Sequence, residues 1–216
     1  MNNVIVSPSI LSADFTEMKS AIAEIKSSGA QWVHCDVMDG VFVPNISFGQ
    51  KMVGDIRKIT DLVLDVHLMI VNPEKYIEEF AKNGADYITI HYEATEKVEE
   101  ALKLIKQCGC KVGLALKPGT DVAVVEKYLD LVDMVLLMSV EPGFSGQKFK
   151  PETIDKMKTF TQMAKGKNIL LQGDGGINME NAATLVECGC TCLVAGNAFF
   201  KAENKAEVVK KLKGIQ

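Results

Sequence analysis

The chain has 216 residues, 47% of them hydrophobic, enough for one well-buried core and a single domain spanning residues 1–216. A net charge of -4 offers no basic surface, which argues against nucleic acid or an anionic membrane as partner. No cationic stretch precedes an apolar run at the N-terminus, and no apolar run approaches the roughly 18 residues of a membrane helix, so a soluble, cytoplasmic protein is expected.

In chain order, β-rich runs alternate with stretches of helical periodicity. A strand at 4–7 is followed by a helix at 16–28, a strand at 32–36 and a short helix at 50–59. The pattern repeats as strand 63–68, helix 73–83, strand 87–91 and helix 97–108, then strand 111–116 and short helix 122–129. Strand 134–138, helix 151–164, strand 169–172, short helix 181–188, strand 192–195 and short helix 206–213 complete it. Gly29, Gly84, Gly109 and Gly189 each stand between a helix and the next strand, where glycine ends a helix in the left-handed conformation. Eight βα units in so short a chain predict a (β/α)8 TIM barrel, an α/β fold whose active site lies at the C-terminal ends of its parallel strands. A doubly wound sheet is disfavoured, because no G-x-G-x-x-G follows the first strand.

Alternate residues of a strand share a face. His34 and Asp36 therefore point together, as do Asp65 and His67, and Asp174 closes the seventh strand. Two imidazoles and two carboxylates, from His34, Asp36, His67 and Asp174, suit one divalent ion such as Zn2+, Fe2+, Mn2+ or Co2+. Asp65 lies one layer deeper than His67 and is read as an interior partner of a ligand. The six cysteines form no C-x-x-C pair and read as reduced, buried thiols, with Cys35 facing the outer helices. Gly143, Phe144, Ser145, Gly146 and Gln147 follow strand six, Gly175 and Gly176 follow strand seven, and Gly196 and Asn197 follow strand eight. Glycine-rich loops at that corner of a barrel predict a phosphorylated substrate. Met38, Met69 and Met138 at strand ends are equally consistent with core filling and with an apolar wall beside the metal.

The strings Ser7 to Asp14, His34 to Asn45, Asp65 to Met69, Val140 to Phe144 and Asp174-Gly175-Gly176 together resemble the signatures of the ribulose-phosphate 3-epimerase family, in order and over essentially the whole chain. The resemblance implies an isomerase that inverts C3 of D-ribulose 5-phosphate to give D-xylulose 5-phosphate, as in the pentose phosphate pathway. It makes Asp36 and Asp174 the acid/base pair on opposite faces of the substrate, with a metal-stabilised enediolate between proton transfers and no organic cofactor. It places Ser9, His67 and Asp174 against the substrate near the metal, and it turns the three methionines toward function. Ser145, Asn197 and the pair Gln172-Gly173 depart from the commonest family pattern, and Gly173 is expected to shift Asp174 slightly. Two alternatives accompany this reading: epimerisation of D-allulose 6-phosphate by the same mechanism, and Schiff-base aldol chemistry through Lys117. A homo-oligomer is expected, of an order that the composition does not specify.

Overall fold

The computed structural model describes residues 4–214; Met1 to Asn3, part of the N-terminal segment considered above, lie outside the described residues. Eight parallel strands run β1 (Ile5–Pro8), β2 (Trp32–Met38), β3 (Val63–Met69), β4 (Tyr87–His91), β5 (Lys111–Leu116), β6 (Met134–Met138), β7 (Leu170–Asp174) and β8 (Cys192–Ala195). They pair in the order β1-β8-β7-β6-β5-β4-β3-β2, and a parallel bridge between Ser9 and His34 joins the two ends into a barrel. Helices α1 (Met18–Ser27), α2 (Gln50–Arg57), α3 (Ile77–Lys82), α4 (Val98–Gln107), α5 (Thr153–Met163), α6 (Ala182–Glu187), α7 (Asn197–Phe200) and α8 (Lys205–Leu212) alternate with them. The predicted (β/α)8 architecture is therefore present.

Period-two alternation divides each strand between two environments. Val33, Cys35 and Val37 of β2 face outward with Leu64, Val66 and Leu68 of β3, in one apolar layer with Ile25, Val53, Ile56 and Phe80. The opposite faces fill the barrel. Its floor is apolar, with Trp32, Met134 and Cys192 packed beside Ile5, Val63, Tyr87 and Leu170. One layer up, Ser7, His34, Asp65, Thr89 and Gln172 are all fully buried. Gly113 of β5 is fixed by this crowding, since a Cβ there would sit 2.0 Å from Thr89 Oγ1. The helix-ending glycines Gly29, Gly84, Gly109 and Gly189 all have φ between +81° and +101°, as the repeat predicted.

Several boundaries differ from expectation. The helix expected at 122–129 is a 310 helix, Val122–Tyr128, begun by the Asp121 side chain accepting from the Ala123 amide; its β-branched run Val122, Val124, Val125 is a poor α-helix former. The helix expected at 16–28 opens with a 310 turn, Phe15–Glu17, capped by Asp14, and that expected at 73–83 separates into a 310 turn, Pro73–Lys75, and α3. Strands β2, β3 and β7 run past their predicted ends to Met38, Met69 and Asp174, because ladder pairing continues to the rim: Met38 opposes Met69, and Asp174 opposes Met138. Helix α7 was not among the expected elements. All six cysteines are free thiols, five of them buried, and Cys35 lies in the outer apolar layer.

Candidate active site

The register of β2 and β3 sets His34 opposite Asp65 and Asp36 opposite His67, so two like pairs stack in adjacent strands. Asp174, at the end of β7, completes the group. One ligand atom from each of His34, Asp36, His67 and Asp174 lies within 4.8 Å of the others. Asp36 Oδ1 is 3.2 Å from His34 Nε2 and 3.1 Å from His67 Nδ1, and Asp174 Oδ2 is 3.9 Å from both nitrogens. Ser9, at the seam of the barrel, donates its hydroxyl to Asp36 Oδ2.

Beneath them Asp65 is an interior partner, as expected. Its Oδ2 accepts from His34 Nδ1 at 2.7 Å, from Gln172 Nε2 at 2.6 Å and from Ser7 Oγ at 3.3 Å. With Nδ1 engaged there, His34 turns Nε2 toward Asp36 and Asp174. That Nε2 is buried with no hydrogen-bond partner among the described residues, its contact with Asp36 lying outside hydrogen-bond geometry. An unsatisfied, inward-facing imidazole nitrogen, ringed by carboxylate oxygens and a second imidazole, fits a divalent cation.

The charges are strongly coupled. Burial disfavours charge on His34, but the Asp36 and Asp65 carboxylates outweigh it and hold the imidazole well above its usual pKa. The two carboxyls at the mouth part in opposite directions. Burial opposes ionisation of Asp36, yet His34 and His67 beside it hold it far below the usual carboxylate range. Asp174 is pushed up to about 6 by burial and by the negative charge of Asp36. Two carboxyls whose environments separate their proton affinities in this way are equipped for opposite roles in proton transfer.

Asp36 and Asp174 lie in the wall of a cleft of about 330 Å³ at the C-terminal ends of the strands. Every residue expected at the phosphate corner lines it: Gly143, Phe144, Ser145, Gly146 and Gln147 after β6, Gly175 and Gly176 after β7, Gly196 and Asn197 at the start of α7. These loops interlock. Gly146 approaches Asn197 so closely that a Cβ would sit 2.6 Å from its side-chain nitrogen, and a Cβ on Gly176 would sit 2.4 Å from the Phe149 amide. Ser9, Met38, Met69 and Met138 form the rest of the expected wall. The methionines are at once buried and cleft-lining, Met38 and Met69 packing with Val43, Met138 with Ala115 and Leu136.

His67, assigned also to substrate contact, is fully buried and absent from the cleft lining, as is His34; both lie behind the carboxylates. Gly173 leaves Asp174 in ladder register opposite Met138, because it faces outward into Ile177, Leu185 and Met157, which leave little room for a side chain. Lys117 does not line the cleft; its Nζ lies 3.9 Å over the Phe42 ring. Leu11, Ser12, Val140, Ile177 and Asn178 also line the cleft and were not singled out. Ser12 and Asn178 carried a signal, standing inside or directly after the strings that supplied Ser9 and Gly176. His91 and Glu93 were missed too: His91 closes β4 and Glu93 follows in the 310 turn Tyr92–Ala94, so strand alternation does not join them; His91 Nε2 lies 2.9 Å from His67 Nε2.

The chain matches the model of the ribulose-phosphate 3 epimerase family over residues 5–200. It is 45% identical over 212 residues to the ribulose-phosphate 3-epimerase of Bacillus subtilis, covering 97% of this chain and 98% of that one. It is 44% identical to the chloroplastic ribulose-5-phosphate-3-epimerase of Arabidopsis thaliana, over 98% of this chain and 77% of that one. Solved structures with the same barrel include a mutant tryptophan synthase α-subunit from Pyrococcus furiosus, at TM-score 0.74 and 13% identity over 99% of both chains. KGPDC from Streptococcus mutans follows at TM-score 0.72 and 15% identity, over 98% and 96% of the two chains, and at such identities the likeness is one of fold. By its family model and by its relatives, this chain belongs to the ribulose-phosphate 3-epimerase family.

Proposed function

We propose that the chain interconverts D-ribulose 5-phosphate and D-xylulose 5-phosphate by moving a proton off and onto C3, with Asp36 and Asp174 as the two proton carriers. The observation that carries this reading is the pairing of those carboxyls, from β2 and β7, in the wall of one cleft above two buried imidazoles. Inversion beside a ketone needs an acceptor on one face of the carbon and a donor on the other. Asp36, kept ionised by its two imidazole neighbours, suits acceptance; Asp174, raised to about 6, suits donation, and the roles exchange for the reverse direction. Ser9 orients Asp36 through its hydroxyl, and Met38, Met69 and Met138 keep water from the reacting carbon.

His34, Asp36, His67 and Asp174 would hold one divalent ion, which would supply the positive charge that acidifies a C–H next to a ketone. The backbone of Gly175, Gly176 and Gly196 and the amides of Asn197 and Ala198 that open α7 offer donors to the phosphate at the other end of the cleft. Ser145 and Asn197 add side-chain donors there.

The test is exchange of the C3 proton with deuterated solvent. Asp36→Asn and Asp174→Asn are each expected to abolish it, and exchange at the wild-type rate in either variant removes that residue from its role. Comparison of kcat/KM for D-ribulose 5-phosphate and D-allulose 6-phosphate with one preparation decides the chain length of the substrate; preference for the hexulose would overturn the pentulose assignment.

A further inference from the structure

The chain contains three histidines, and all three are fully buried in this one site. His34 and His67 belong to the ligand group, whereas the third, His91, touches neither the cleft nor the carboxylates of that group. Its ring lies against that of His67, with centroids 5.0 Å apart and the two Nε2 atoms at 2.9 Å. On its far side His91 Nδ1 is 3.2 Å from Glu93 Oε2. Glu93 is fixed in turn, because its Oε1 accepts from the Lys117 amide at 2.8 Å and from the Thr120 hydroxyl. The loop that supplies those donors is held by Lys156 of α5, which reaches the carbonyls of Lys117 at 3.1 Å and Pro118 at 2.6 Å, and that of Thr120.

Hydrogen-bond logic assigns the protons along this chain. A carboxylate only accepts, so His91 Nδ1 carries the hydrogen that faces Glu93. A neutral His91 then presents a bare Nε2 to His67. Two imidazole nitrogens at 2.9 Å share one hydrogen, which must therefore sit on His67 Nε2. Without an ion, His67 Nδ1 lies within hydrogen-bond distance of Asp36 Oδ1, at 3.1 Å; with its one hydrogen held on Nε2 by His91, His67 would instead turn a lone pair on Nδ1 toward a cation bound by Asp36 and Asp174.

We infer that His91 and Glu93 are positioning residues that lock His67 in the tautomer and ring orientation needed to ligate a divalent ion through Nδ1. The inference rests on the metal reading above and adds a support for the second imidazole equivalent to the one Asp65 gives the first. The difference is that Asp65 touches His34 directly, while Glu93 acts through an intervening ring.

The experiment uses the full chain stripped of metal and titrated with Co2+ against a competing chelator. Glu93→Gln and His91→Phe are expected to weaken Co2+ binding by about 10- to 100-fold, with a changed absorption spectrum for the ion that does bind. Thr89→Val is the control: it lies on the same strand and its hydroxyl has no partner among the described residues, so it should leave Co2+ affinity within twofold of wild type. Should His91→Phe fail to fold, Glu93→Gln at the half-buried outer end still decides. Long-range 1H–15N spectra of the zinc-loaded wild type give a second readout, with hydrogen expected on Nε2 of His67 and Nδ1 of His91. A hydrogen on His91 Nε2, or wild-type Co2+ affinity in folded Glu93→Gln, would overturn the inference. Wild-type protein that takes up no Co2+ would instead remove the metal reading, and this inference with it.

Discussion

Asp65→Asn separates a structural aspartate from one that serves the ligands. The side chain is fully buried, and its Oδ2 accepts from His34 at 2.7 Å, Gln172 at 2.6 Å and Ser7 at 3.3 Å. Asparagine keeps the shape and one acceptor but removes the charge that balances His34. Breaking one side of a buried charged pair costs roughly 3–5 kcal/mol, and the retained acceptor places this variant at about 3. For a domain of this size that is a fall in Tm of roughly 6–12 °C, read by thermal denaturation in chelator. The second effect is on the metal. With its carboxylate support gone, His34 is a weaker and less firmly oriented ligand, so affinity for Zn2+ should fall about 10- to 100-fold, or about 1.4–2.7 kcal/mol. The two readouts carry different information: stability alone would move if Asp65 merely filled the barrel. A folded Asp65→Asn protein with wild-type Zn2+ affinity refutes the argument that Asp65 acts on the site through His34.

Gly176→Ala should raise KM for the sugar phosphate more than it lowers kcat, because a methyl at φ +65° meets the Phe149 amide at 2.4 Å and pushes the loops of the phosphate corner apart; the backbone conformation alone costs about 1–2 kcal/mol. An unchanged KM would remove Gly176 from phosphate binding. Asp174→Asn should stabilise the metal-free protein at pH 8. The folded pKa of Asp174 is about 6 against an ordinary 3.8, so the folded state holds the proton more tightly, and the resulting stability is lost as pH rises from 3.8 through 6. Above that window the ionised side chain costs up to about 3 kcal/mol, less for the edge that faces the cleft. Urea titrations in chelator at pH 8 should show the gain, and the difference should vanish near pH 3.5; no gain at pH 8 would contradict the assigned environment. Lys117→Met should retain kcat within a few-fold and the wild type should trap no substrate on borohydride reduction, since that ammonium packs on Phe42 outside the cleft. Covalent labelling at Lys117 would restore the Schiff-base alternative.

The candidate ligand cluster was legible because strand periodicity is a local property. His34 with Asp36 and Asp65 with His67 each needed only the rule that alternate residues share a face. The glycine-rich corner of the cleft was legible by position, since the glycines fall after the last three strands of a counted repeat. His91 with Glu93 shows where local reading stops. The pair has the same spacing, yet its significance depends on β4 lying beside β3 in a register that sets Thr89 opposite His67 and leaves His91 one step higher. That relation is tertiary. The outward crowding of Gly173 was hidden for the same reason, since neighbours in space decided it; the 310 geometry of Val122–Tyr128 follows instead from its own β-branched run.

The lumen itself explains why the site sits on one side of the barrel. Strands β1 to β4 and β7, with Ser9 just past the end of β1, contribute Ser7, Ser9, His34, Asp36, Asp65, His67, Thr89, His91, Gln172 and Asp174, whereas β5 and β6 contribute Gly113, Ala115, Leu136 and Met138. A buried polar group is tolerable only when paired, and on the polar side three of the four candidate ligands lean on a neighbour. His34 rests on Asp65, His67 on His91, and Asp36 on Ser9 across the seam. Three carboxylates, Asp36, Asp65 and Asp174, nevertheless stand close together around the single His34 imidazole. A divalent ion bound only by the folded state would offset that repulsion, adding about 2.7 kcal/mol of stability when present at 100 times its Kd. The apolar floor and outer layer need no such help, because Trp32, Met134, Phe80 and their neighbours hold the strands by burial alone. The fold is thus secured from below and outside, which leaves the upper lumen free to keep charges that would otherwise destabilise it.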